Sequence, residues 1–156
     1  MTEQLMRTRT IAATPEQIFA VLVDPAQHQF TEPTNWVRDA YDVEPISEVG
    51  QIFGMHMFHQ DNPEGHYRID NKVIAFDPGR AVAWQPGQIR DGTWGSGGWW
   101  WRYDLAPRDS GTEVSLTYDW TDVAPPVREN FGGFPAVPPE FLDESLAALE
   151  HHVTGG

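Results

Sequence analysis

The stretch HYRIDNKVIAFDPGRAVAWQPG, residues 66–87, reads as two strands joined by Asp77-Pro78-Gly79-Arg80. Pro and Gly stand there where a tight four-residue turn favours them, so the two strands form a hairpin and run antiparallel. Working upstream, QIFGMHMFH (51–59) alternates Phe53, Met55, Met57 and His59 on one face with Ile52, Gly54, His56 and Phe58 on the other. The turn chemistry of DNPEG (61–65) joins it to the hairpin. Downstream, the glycine-rich link GQIRDGTWGSGG (87–98) leads to GGWWWRYDLAP (97–107). In a strand Trp99 and Trp101 share one side and Trp100 takes the other. Asp109-Ser110-Gly111 then turns into EVSLTYDWT (113–121), which alternates Val114, Leu116, Tyr118 and Trp120 with Glu113, Ser115, Thr117 and Asp119. Strands joined by turns, with no helix between them, form an antiparallel meander.

The flanks complete the order. EQLMRTRTIAA (3–13) is an opening strand, with Leu5, Arg7 and Arg9 set against Met6, Thr8 and Thr10. In TPEQIFAVLVD (14–24), Thr14 as N-cap, Pro15 at the first helical position and Gln17 three residues after the cap spell a helix start. Ile18, Phe19, Val21 and Leu22 are its apolar side, and Asp24-Pro25 passes into a second short helix over Ala26 to Gln29. A loop follows, then a strand near 41–48. The segment APPVRENFGGFPAVPP (124–139) is too rich in Pro and Gly for a regular element, whereas PEFLDESLAALEHHV (139–153) sets Leu142, Leu146, Leu149 and Val153 along one helical stripe. The expected order is one strand, two helices, six strands and a long helix, in a single domain over residues 1–156.

At 156 residues, with 40% hydrophobic and 21% charged side chains, the chain supports one packed core. A net charge of -13 disfavours nucleic acid and anionic lipid surfaces, which need clustered Lys and Arg. The sequence has no apolar run near the roughly 20 residues of a membrane span, and its N-terminus lacks the apolar core of a signal peptide, so membrane insertion is not expected. The absence of cysteine removes disulfides and thiolate chemistry and fits a reducing compartment; a cytoplasmic location is the expectation. Monomer and homodimer both remain open.

With these elements in order, the chain resembles the START/Bet v 1-like (SRPBCC) superfamily, which includes START lipid-transfer domains, plant allergens, polyketide cyclases and Aha1-type domains. ATPEQIFAVLVDP, VGQIF, VIAFDPGRAVAWQP, GTEVSLTYDW and the closing helix carry the resemblance. DWTDVAPPVRENFGGFPAVPPE is most similar to small bacterial proteins of polyketide cyclase/dehydrase type. The resemblance implies an α+β helix-grip fold, β-α-α-β6-α, in which a curved seven-stranded antiparallel sheet wraps the long C-terminal helix around an internal cavity. It implies little about chemistry, since the superfamily hosts transporters, enzymes and regulators.

Strand parity assigns the inner face directly. Phe53, Met55, Met57 and His59 face inward from one strand, Val82 and Trp84 from the next, and Trp99, Trp101, Tyr103 and Leu105 from the tryptophan strand. Val114, Leu116, Tyr118 and Trp120 complete the wall, with Leu142, Leu146 and Leu149 opposite on the helix. Tryptophan and tyrosine carry donors that need partners when buried, so a wall this rich in them suits a cavity that holds water or ligand. Phe131 and Phe134 would be the apolar contacts of a lid formed by 124–139, and the glycine-rich link a mobile rim.

The candidate reactive groups are His59 for acid/base work, and Tyr67, Asn71, Tyr103 and Tyr118 for orienting a carbonyl or enolate. The side taken by Asn71 is open, because Ile74 and Phe76 conflict with Val73 and Ala75 over which face is inward. His56 and His59 fall on opposite faces and His151 and His152 are adjacent on a helix, so neither pair suits one metal ion, and no cofactor motif occurs. Asp143, Glu144 and Glu150 read as the solvated face of the last helix. Three functions fit: binding or transport of a hydrophobic small molecule such as a lipid, polyketide or isoprenoid; a polyketide aromatase/cyclase or dehydrase; and an Aha1-like protein-interaction module, which an uncovered Trp100 would favour.

Overall fold

The computed structural model describes residues 2–34, 36–59 and 65–155; of the expected DNPEG turn, residues 61–64 lie outside the described residues. The elements are β1 (Gln4–Ile11), α1 (Pro15–Leu22), a 3-10 helix (Pro25–Phe30), β2 (Val37–Ala40), β3 (Ile52–Phe58) and β4 (His66–Asp77). They continue as β5 (Ala81–Gln85), β6 (Gly87–Arg90), β7 (Thr93–Ser96), β8 (Trp100–Arg108), β9 (Gly111–Asp119), α2 (Pro125–Asn130) and α3 (Pro139–Thr154). Seven strands make one antiparallel sheet in the order β1-β9-β8-β5-β4-β3-β2, gripped around α3 as a helix-grip fold. Among the described residues no helix is long and apolar enough to cross a membrane.

Local chemistry explains most of these elements. The capping box forms, with Thr14 Oγ1 accepting from Gln17 N and Gln17 Oε1 accepting from Thr14 N. Ile18, Phe19, Val21 and Leu22 are buried as the pattern requires. At the deciding hairpin, Arg80 N donates to Asp77 O at 2.9 Å and Gly79 takes φ +76°, a conformation open to glycine. Leu142, Leu146 and Leu149 are sealed against the sheet, each contributing about 2 kcal/mol of apolar burial.

Several expectations are corrected. The strand near 41–48 does not form; β2 lies earlier, and the chain then runs irregularly, pinned by the buried Ile46, whose N–H donates to Val23 O. Pro45 has no N–H to give a ladder, and the residues around Ile46 are polar or exposed. The glycine-rich link is an ordered hairpin, β6–β7, packed on β4, where Trp94 Nε1 donates to Asp70 O. Asp91 (φ +53°) and Gly92 (φ +79°) give the turn geometry such a hairpin needs. The Pro-rich segment holds the short helix α2, whose prolines occupy its first turn, where their missing N–H groups are unneeded.

The conflict over β4 parity has a physical cause. The register slips between Val73 and Ala75, so a bulge carries the inner face from Val73 to Phe76 and leaves Ile74 outside. Asn71 is therefore inward, directly opposite Phe53. On β1 it is Leu5, Arg7 and Arg9 that share the side of Tyr118, Leu116 and Val114. Arg7 pairs with Asp143 at 3.4 Å and Arg9 with Glu150 at 2.7 Å, so these two acids tie α3 to the sheet edge instead of being merely solvated. Exposed pairs of this kind fix position more than they add stability.

Candidate functional site

The inner face divides into a sealed part and a half-open part. Phe53, Met55, Val73, Val82, Leu105, Val114 and Leu116 close against the helices. By contrast Tyr67, Ile69, Trp84 and Trp101 on the sheet, with Trp36 before β2 and Phe141 on α3, pack on that core and keep partial exposure. The register sets the pattern: Trp84, Trp101 and Tyr118 lie side by side across β5, β8 and β9, while Tyr67 and Ile69 oppose Met57 and Met55.

Ring contacts join the half-open residues into one wall. Trp101 stacks on Tyr118 with centroids 4.3 Å apart, Phe141 meets Trp101 at 6.1 Å and Trp36 at 6.0 Å, and Trp36 Nε1 donates to the Tyr67 hydroxyl. Deeper in, Trp84 stacks on the buried His28 at 4.8 Å, with Phe53 and Tyr103 around it. At the outer end Trp99 is covered by the connector, its ring 5.3 Å from Phe131 and 5.8 Å from Phe134. Gly98 takes φ +106° there, and a Cβ on it would stand 2.6 Å from Asp122 O, so the turn into the tryptophans requires glycine.

The phenols are kept neutral. Burial pushes Tyr118 up to about 12, opposed by the bond it accepts from Ala136 N at 3.4 Å. Burial also raises Tyr67, against the Trp36 bond, and raises Tyr103 strongly, against its bond with Thr31. Because the Tyr67 and Tyr118 oxygens accept from Trp36 and Ala136, each keeps a hydroxyl proton that another acceptor can take. His28 is lowered by burial; its Nε2 bonds Leu22 O at 2.7 Å, which fixes that nitrogen as the donor.

Among the sequence candidates the structure brings Tyr67, Trp84 and Trp101 into the half-open part, with the buried Tyr118 stacked on Trp101 and the buried Asn71 opposite Phe53. Phe53, Met55, Met57, Leu142 and Leu146 sit beneath them in the core, and Tyr103 is buried beside Trp84. Trp120 is buried too, but its Nε1 is held by Glu3 Oε2 at 3.2 Å. Trp99 and Phe134 belong to the connector contact. β3 ends at Phe58, and His59 is exposed at the rim of the wall with its ring edge-on to Trp36 at 5.9 Å. Trp100 is half-buried on the outer face, beside Asp119 in the register.

Four residues of the site escape a strand-parity reading. Trp36 lies in an aperiodic stretch, and His28 belongs to a 3-10 turn with no sequence signal of its own. Phe141 and Ser145 form a second helical stripe beside the leucines, at i and i+4, and that spacing was the available clue. Two surface depressions, of about 380 Å³ beside Ala147 and His151 and about 340 Å³ beside Tyr41 and Glu44, touch none of the aromatic wall.

An antiparallel sheet gripping a C-terminal helix, with a half-open aromatic wall between them, defines the helix-grip class of proteins. Residues 2–154 match the model of the family described as polyketide cyclase / dehydrase and lipid transport, and the chain belongs to that family. Solved structures agree on the fold. A Nitrosomonas europaea protein matches over 97% of this chain and 94% of its own, with TM-score 0.72 and 17% identity. A Mycobacterium smegmatis protein matches over 99% and 97%, with TM-score 0.67 and 16% identity. A polyketide-cyclase-like protein of Corynebacterium glutamicum matches over 99% and 82%, with TM-score 0.54 and 20% identity. A search of the curated proteins finds no match.

Proposed function

We propose that this single-domain protein binds, and by binding transports, a hydrophobic small molecule such as a lipid, polyketide or isoprenoid, held between the aromatic wall and the first turn of α3. The observation that carries this reading is the split of the inner face: apolar residues seal one part, while the part richest in Trp and Tyr keeps partial exposure. A core built only for stability would place aliphatic residues there, because each indole and phenol brings a donor to satisfy. The family description, which includes lipid transport, supports the same class of ligand. The acidic, cysteine-free chain suits a neutral ligand and a cytoplasmic setting.

Trp101 is the centre of the wall. In a titration with the bicyclic ketone 1-tetralone, followed by quenching of tryptophan fluorescence, Trp101→Leu is expected to weaken binding at least about tenfold while the urea midpoint moves little. Equal losses of affinity and stability would make Trp101 a core residue and overturn the reading.

A cyclase or dehydrase is the second reading. The neutral Tyr118 favours it, since a phenol held at about 12 donates a hydrogen bond to a ketone without ionising. That chemistry also needs a proton-abstracting partner, and of the two imidazoles beside the wall His28 is sealed with its Nε2–H on Leu22 O while His59 stands exposed at the rim. Binding without turnover is therefore the better supported function.

A further inference from the structure

Asn71 is 6% exposed and faces inward across from Phe53, among the most tightly sealed side chains of the protein. Among the described residues its amide makes no hydrogen bond, and neither does the hydroxyl of Ser145, buried on the face of α3 between Leu142 and Leu149. Yet among the described residues no polar side-chain atom is both closed off from solvent and unpartnered. The two facts together leave the Asn71 amide and the Ser145 hydroxyl each in contact with solvent-accessible space. Stability does not account for an amide at this position, because a leucine would continue the apolar pattern of Ile69 and Val73 on the inner face.

We propose that Asn71 is the orienting residue of the site: opposite Phe53, whose ring meets Trp84, its amide N–H donates to a ketone or hydroxyl oxygen of a largely apolar ligand. This rests on the binding reading above and adds to it what sets specificity. The other uncommitted groups of the wall agree in sign. The Tyr67 and Tyr118 hydroxyls and the indole N–H groups of Trp84 and Trp101 are donors that form no donated bond among the described residues, so the wall offers donors to an acceptor. The cations on the inward side of β1, Arg7 and Arg9, are engaged by Asp143 and Glu150, which leaves a neutral oxygen better matched than a carboxylate.

A matched pair of probes separates this from mere greasiness. 1-Tetralone and tetralin share a skeleton and differ by the ketone oxygen. The unmodified protein is expected to bind tetralone about tenfold more tightly than tetralin, a difference that one satisfied hydrogen bond supplies. Asn71→Leu should abolish that preference while keeping affinity for tetralin, and should raise the apo melting temperature by a few degrees by placing an apolar side chain on the inner face. Asn71→Ala, which demands no new volume, should also abolish the preference and guards against a leucine that overpacks. Preference retained in both variants, or equal binding of the two probes by the unmodified protein, overturns the assignment. Failure of both probes to bind overturns the binding reading and this inference with it, whereas Trp101→Leu, which weakens both probes alike, isolates the wall from the orienting group.

Discussion

His28 shows how a single side chain couples the core to solution conditions. It is enclosed by Trp84 and Phe53 and donates to Leu22 O, and its environment lowers its proton affinity through burial, against the opposing effects of the Leu22 bond and Asp24. The unfolded chain, with an ordinary histidine near 6.5, therefore binds more protons than the folded one below that pH. Stability from this group is complete above about pH 6.5 and is lost as pH falls toward the depressed folded value. Urea midpoints measured from pH 7.5 to 5.5 are expected to fall, and His28→Leu should flatten that slope; an unchanged slope in the variant would assign the effect elsewhere. Residue-scale reasoning from sequence found the aromatic wall at Trp84, Trp101 and Tyr118, because strand parity depends only on the two-residue repeat. The same repeat carried His59 onto the inner face, whereas β3 ends at Phe58 and His59 lies exposed at the rim with its ring against Trp36.

At the scale of elements, the connector between β9 and α3 is held by an ion-pair cluster at one end and by aromatic and core contacts at the other. Arg128 of α2 donates to both Glu3 oxygens, at 2.9 and 2.8 Å, and to the carbonyls of Val123 and Trp120, while Trp120 Nε1 reaches the same carboxylate. The Arg128 guanidinium accordingly holds Glu3 below its ordinary value of 4.5, so this anchor is present at neutral pH and weakens only in acid, as Glu3 protonates. Beyond it, Gly132 and Gly133 lead to Phe134 over Trp99 and to Ala136 on Tyr118. Amide hydrogen exchange across 125–137 is expected to accelerate in Glu3→Gln with the sheet unchanged; uniform exchange in both proteins would show that the carboxylate does not anchor the segment. The sequence made the connector recognisable by its Pro and Gly content but hid α2, since prolines that break a helix interior are tolerated in its first turn. The β6–β7 hairpin was hidden likewise, because glycine-rich composition does not distinguish a mobile link from a tight turn.

For the whole molecule, the order of elements and the seven-stranded sheet were readable because turn residues and alternation are local signals. The strand near β2 was misplaced because an edge strand of four residues carries too little pattern to locate. The division of the inner face was not readable at all: which inward residues are sealed depends on the bulge in β4 and on where Phe141 and Trp36 arrive, and both are set by tertiary packing. That division is the central claim, and native mass spectrometry of the purified protein, with organic extraction of whatever it carries, tests it most directly. The expected result is a non-covalent adduct of an apolar molecule bearing a neutral oxygen, released by extraction and reduced in Trp101→Leu. A bare mass that stays unshifted when the protein is challenged with 1-tetralone and other neutral hydrophobic ketones would contradict it, and the three consecutive tryptophans would then be structural.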